Sequence, residues 1–197
     1  MKRFNLLALA LLAVLCSACG TKKSTAQQRA ATNPFGEVFS IPCEVYDTET
    51  HFAATGIYKG SMNQKGEVHI YALQNAQALV RQKMQHAYKG LVSDYSQSVG
   101  NNRGNDIATK IEKGGDQIIN VIVNNAAETC VKYSGVDDRG MVECYVAILV
   151  SKEDLAEKLT QNVKNMLTDE EKMRIGFDEE QYRKKMEQRF KDYKDAQ

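Results

Sequence analysis

Apolar and polar positions alternate along "FSIPCEVYD", residues 39–47. Phe39, Ile41, Cys43 and Val45 fall on one side, and Ser40, Pro42 and Glu44 on the other. That period of two predicts a half-buried strand, and Pro42 places it at a sheet edge or a strand start. "HFAATGIYKGSM", from residue 51, has the aromatic, Thr and Ile content of a second strand. Gly56 inside it marks a bulge or a close backbone approach. After Lys65 and Gly66 the period changes. Leu73, Ala76, Val80, Met84, Ala87, Leu91 and Tyr95 recur every three or four residues, with Gln, Lys and Arg between them. This predicts one amphipathic helix over about 67–98. Such a helix is about 45 Å long, so it must cross a whole sheet face or project beyond it. "GNNRGN", from residue 100, breaks it.

Ile107, Ile111, Ile118, Ile119 and Ile122 predict more helix over about 104–126, interrupted at Gly114 and Gly115. The β-branched run "IINVIV" leaves residues 116–126 readable as helix or strand. "TCVKYSGVDDRGMVECYVAILV", residues 129–150, reads as a hairpin. Val142, Cys144, Val146, Ile148 and Val150 share a face on its second arm, as Val131 and Tyr133 do on its first. A turn centred between Asp137 and Asp138 sets Tyr133 opposite Val142 and Val131 opposite Cys144. A one-residue slip would turn Lys132 and Ser134 to the core, so the pattern sets the register, and Lys132 should be more exposed than Val131. Ser151 then caps a helix, with Asp154 at the capping-box position and Leu155, Leu159 and Met166 as its stripe. Thr168 and Glu171 repeat that signal. Beyond residue 169 the chain is mostly charged, with Tyr182, Met186, Phe190 and Tyr193 at helical spacing. Two readings stand there: a solvated helix with a thin docking stripe, or a partner-binding or oligomerising helix.

The N-terminus places the chain. Lys2 and Arg3 precede the apolar run Leu6 to Leu15, the signature of a secretory signal peptide. A spanning helix needs about 20 apolar residues, so this run is too short to remain as one. Ser17 and Ala18 are small, whereas Val14 and Leu15 are bulky. Cleavage is therefore expected before Cys19, and Cys16 leaves with the peptide. The segment resembles a bacterial lipobox, with Cys16 where the usual leucine stands. It implies a lipidated Cys19, whose several acyl chains would hold a membrane firmly; without lipid, Cys19 is a free thiol on a secreted chain. Gly20 follows Cys19 with no acid nearby, which favours the outer membrane, facing the periplasm. "GTKKSTAQQRAATNPF", residues 20–35, reads as a flexible tether.

The chain has 197 residues. Losing residues 1–18 removes Lys2 and Arg3 and leaves 24 basic against 25 acidic residues, a net charge near −1. Near-neutral charge argues against an electrostatic nucleic-acid footprint. "FAATGIYKG", "ALQNAQALVRQKMQ" and "GMVECYVAILVSKEDL" together resemble the LPP20-like lipoproteins and related envelope and flagellar-accessory domains. Ala72 and Ala76 match that family's alanine spacing, with Gln77 where its arginine stands. The resemblance covers about 51–160 and implies an α+β domain, an antiparallel sheet under a long helix, without enzyme activity. The organisation expected is a signal peptide over 1–18, a lipidated tether over 19–36, an LPP20-like domain over 37–160 and a charged helical extension over 161–197.

The chemistry expected is sparse. Three mature cysteines remain beyond the anchor: Cys43, Cys130 and Cys144. The hairpin register puts Cys130 and Cys144 on opposite faces, which forbids that pair. Cys43 and Cys144 both face the core and form the candidate disulfide of an oxidising compartment; the alternative is three unpaired thiols. His51, His69 and His86 share no metal-ligand spacing, and no cofactor or metal is expected. Asp137-Asp138 and Glu170-Glu171 read as turn and helix-start residues. Residues 100–104 lack the preceding strand of a phosphate loop. The expectation is a lipid-anchored envelope protein that binds or scaffolds a partner, whether itself, another envelope protein or the cell wall. An enzyme whose site is assembled from distant residues, or a secreted effector, is the alternative. An apolar groove would favour binding, and a polar cleft of convergent ionisable groups would favour catalysis.

Overall fold

The computed structural model describes residues 40–99 and 102–193, with side chains described outside 94–104. The predicted signal peptide, Cys19 and the tether lie outside the described residues. Three strands form one antiparallel sheet: β1 (His51–Ser61), β2 (Glu128–Tyr133) and β3 (Met141–Ser151), in the order β1-β3-β2. Among the described residues five α-helices accompany them, α1 (Lys65–Val99), α2 (Asn102–Asn124), α3 (Lys152–Met166), α4 (Asp169–Ile175) and α5 (Glu179–Asp192), with a single 3-10 turn (Met62–Gln64) before α1. The expected α+β class, with a long helix on an antiparallel sheet, is what forms.

Alternation fixes the two faces of the sheet. Phe52, Ala54, Cys144, Val146, Ile148 and Val150 point to the helices and are buried. Gly56 sits beneath α1 between Ala72 and Ala76, and any side chain there would run into their backbone. Glycine and alanines thus bring helix and strand together. The first half of α1 crosses the sheet and its second half packs on α2. Val80, Met84, Ala87 and Tyr88 fill the space between them. The predicted interruption of α2 does not occur. Gly115 instead lies under the Tyr88 ring, whose hydroxyl donates to the Ile111 carbonyl at 3.0 Å. The pair of glycines serves helix–helix approach, and "IINVIV" is helical throughout.

Residues 39–47 are not a strand where they are described. Glu44 N–H donates to the Ile41 carbonyl at 3.2 Å, closing a turn with Pro42 second and Cys43 third at φ 59°. Proline followed by a positive φ is the pattern of a type II turn. The segment then straps the open face of the sheet. Thr55 Oγ1 donates to the Cys43 carbonyl at 2.7 Å and accepts from Val45 N–H at 3.2 Å. Cys43 is bonded to Cys130, which faces Ala147 across the sheet. The expected Cys43–Cys144 pair is thereby corrected: with no strand at 43, Cys43 lies over the face opposite Cys144. Cys144 remains a buried thiol among Val68, Ala72, Val142 and Val146.

The hairpin register is also corrected. Tyr133 pairs with Cys144 and Val131 with Val146, each two places beyond expectation. Asp137 and Met141 flank a three-residue loop ending at Gly140, φ 72°. Between that loop and the Ser134–Glu143 bond the first arm carries one extra residue. The loop shift alone would swap the faces; the extra residue restores them. Val131 and Lys132 are both exposed on this edge strand.

Of the two readings of the tail, the solvated helix with a thin docking stripe is the one that forms. The boundary expected at 160 falls inside α3, and Tyr182, Met186 and Phe190 are at most 1% exposed. Phe190 meets the Phe52 ring edge-on at 5.5 Å, and half-buried Tyr193 lies 5.6 Å from it. The stripe proposed for a partner is spent on the chain's own core. Thr168 and Glu171 form the expected capping box before α4, and Lys110 of α2 holds Glu171 at 3.0 Å. Backbone and ammonium donors together keep that carboxylate below its usual range.

Candidate functional groove between α2 and α3

One groove, of about 710 Å³, opens between the C-terminal half of α2 and the outer face of α3. Its first wall is apolar: Ile118, Val121 and Ile122, followed by Asn125 and Ala126. Helical spacing places these on one face of α2. Val121 is 58% exposed, although Ile119 and Val123 on either side are buried. "IINVIV" therefore carries more apolar positions than one core-facing stripe can use, and the surplus lines the groove. That excess of apolar positions is the signal in the sequence for the groove.

The second wall is polar. Asp154, Glu157, Lys158, Gln161, Asn162 and Asn165 recur at spacings of three and four along α3. Ser151 caps this helix by accepting from Asp154 N–H at 3.1 Å. The Nδ2 of Asn162 is buried and has no hydrogen-bond partner among the described residues. A smaller hollow of about 250 Å³ continues past Glu157 and Gln161 to Glu179 and Glu180. Those two acids are held by Lys164 at 2.8 Å and Lys184 at 2.7 Å.

The end of β3 completes the groove through Leu149, Val150 and Ser151. Side chains of consecutive strand residues point to opposite faces. Three in a row can line one cavity only if it meets the strand along its edge or end. β2 pairs with β3 only as far as Ile148, whereas β1 continues to Ser151.

Other polar clusters lie outside the groove. Asp47 Oδ1 accepts from Ala53 N–H at 2.7 Å, and Lys83 lies 3.3 Å from the same oxygen. Lys152, 3% exposed, stands 4.7 Å from the Phe52 ring centroid. Burial pushes its pKa down, against the pull of Asp47 and Glu49. This cluster pins the strap to β1. Burial likewise raises the Cys144 thiol, which Tyr133 only partly offsets. His51 contacts Thr50, His69 contacts Glu128 at 2.8 Å and His86 lies beside Tyr193. Among the described residues no three His, Cys, Asp or Glu side chains converge as a metal site, and no helix is long and apolar enough to cross a membrane. Compared with known proteins, the chain matches no family model, no curated protein and no solved structure.

Proposed function

We propose that this chain is a lipid-anchored protein of the bacterial envelope, held at the periplasmic side of the outer membrane through Cys19. Its domain, of the LPP20-like kind, binds a partner rather than reacting with one. The observation that carries this reading is the groove, with one apolar wall, one wall of amides and charges, and titratable groups spaced along a helix rather than converging. An exposed apolar wall of this kind is a feature of interaction sites. The Cys43–Cys130 disulfide supports an oxidising compartment, and the lipobox-like segment before Cys19 supports the anchor.

Two measurements test the two halves of the proposal. Cys19→Ala should move the protein from the membrane fraction to the soluble one; continued detergent-dependent extraction would remove the anchor. A photo-cross-linker at Val121 should capture one discrete species in intact cells, and one at Met173, 77% exposed and away from the groove, should not. Equal capture at both positions, or none at Val121, would remove the groove as the binding site.

A further inference from the structure

We infer that the sheet face crossed by the strap is an interfacial surface, resting on the lipid bilayer that holds Cys19. The inference rests on the anchor proposed above and adds which side of the domain meets the membrane.

The strap lies across one row of the sheet. Thr55, Ala147 and Cys130 face one another across β1, β3 and β2. The strap is held at both ends of that row, by Thr55 and by Cys130. Ala53 and Ala147, on this face by alternation with Phe52 and Ile148, are fully buried. The next row toward the hairpin loop runs Ile57, Tyr145 and Lys132. Ile57 and Lys132 are exposed there, with half-buried Tyr145 between them. Beside this row the strap exposes Ile41 and Tyr46, the latter 59% exposed. Two acids on the same face are already answered. Glu143 accepts from the Tyr145 hydroxyl at 2.6 Å and lies 3.6 Å from Lys59. Asp137 meets Lys59 at 3.0 Å. Lys132 makes no ion pair among the described residues.

These side chains suit the headgroup layer. Tyrosine offers an apolar ring with a polar tip, isoleucine reaches the acyl boundary, and lysine reaches lipid phosphates. The place where the tether joins the body selects a bilayer as the occupant. The chain enters through the strap, on this face, and residues 20–40 separate Ile41 from Cys19. A flexible linker of about 21 residues has a root-mean-square span of about 25 Å. That is about half the length of α1, whose 35 residues rise about 52 Å. The strap side is therefore the side brought to the lipid. Tethering raises the local concentration of the surface to about millimolar, so a few exposed apolar side chains suffice. α2 and α3, which wall the groove, lie on the other side of the sheet. The groove stays open to its partner while the strap side meets lipid.

The chain has no tryptophan, so an introduced one reports depth by fluorescence. Tyr46→Trp and Ile57→Trp are each made in the full-length lipidated protein. Met173→Trp, on α4 in the helix layer, is the control. Each is reconstituted into vesicles of phosphatidylethanolamine and phosphatidylglycerol, with and without bromine on the acyl chains. Bromine should quench both face probes about 3-fold more than the control, with emission shifted to the blue. Urea unfolding in detergent identifies any variant that fails to fold, and either face probe alone carries the test. Equal quenching at face and control, in protein that floats with the vesicles, overturns the membrane contact and leaves the anchor standing. Protein that does not float with the vesicles removes the anchor and this inference together. A blue shift that follows protein concentration and ignores bromine assigns the face to a second copy and overturns the lipid contact.

Discussion

Asp137 shows how much one side chain can organise. Its Oδ1 accepts from the backbone N–H groups of Arg139 at 3.0 Å and Met141 at 2.9 Å. Its Oδ2 meets Lys59 of β1 at 3.0 Å. The Met141 N–H, followed by the Lys59 ammonium, holds the carboxyl down at about 2. Because that value lies below the unfolded range, the stabilisation is fully present above about pH 4 and is lost as pH falls through about 2. Asn at this position keeps an acceptor for the turn but loses the charge. Asp137→Asn should therefore unfold at lower urea than the wild type at pH 6, with the gap closing by pH 2; a gap independent of pH would remove the ion pair from the account. The sequence marked Asp137 as a turn residue. It did not mark Lys59, because a contact across two strands depends on a register that only the folded sheet sets.

At the scale of elements, what was legible depended on period length. The 35 residues of α1 repeat their apolar positions often enough to be read within two residues at each end. The same alternation over residues 39–47 was too short to outweigh Pro42 and the turn it starts. That miss propagated to the cysteines, since the expected pairing assumed a strand at Cys43. The strap closes a covalent loop across an 87-residue separation. A loop of that size contributes about 4.6 kcal/mol by restricting the unfolded chain. Cys130→Ser should lose about that much in urea unfolding, and the Val45 amide should exchange faster as its bond to Thr55 loosens. Cys144→Ser should leave the disulfide intact, and peptide mapping should recover Cys43 joined to Cys130. Recovery of Cys43 joined to Cys144 would restore the strand at residues 39–47 and abolish the strap.

For the molecule as a whole, the question is whether the charged tail is an appendage or part of the body. Composition argued for an appendage, because composition averages over a helix whose two sides differ completely. α5 is charged on three sides and buries Tyr182, Met186 and Phe190 on the fourth. Phe190 reaches Phe52, which belongs to the first strand of the sheet. Phe190→Ala should cost about 3–5 kcal/mol, the usual price of deleting a buried aromatic ring. Its location in the unfolding reaction separates the two architectures. If α5 were docked on an independently stable body, amides of β3 such as Ile148 would keep their exchange protection, and only the tail would open. If the tail completes the core, the same substitution lowers protection at Ile148 by about 100-fold or more, because both open in one global event. The shared ring contacts around Phe52 require the second outcome.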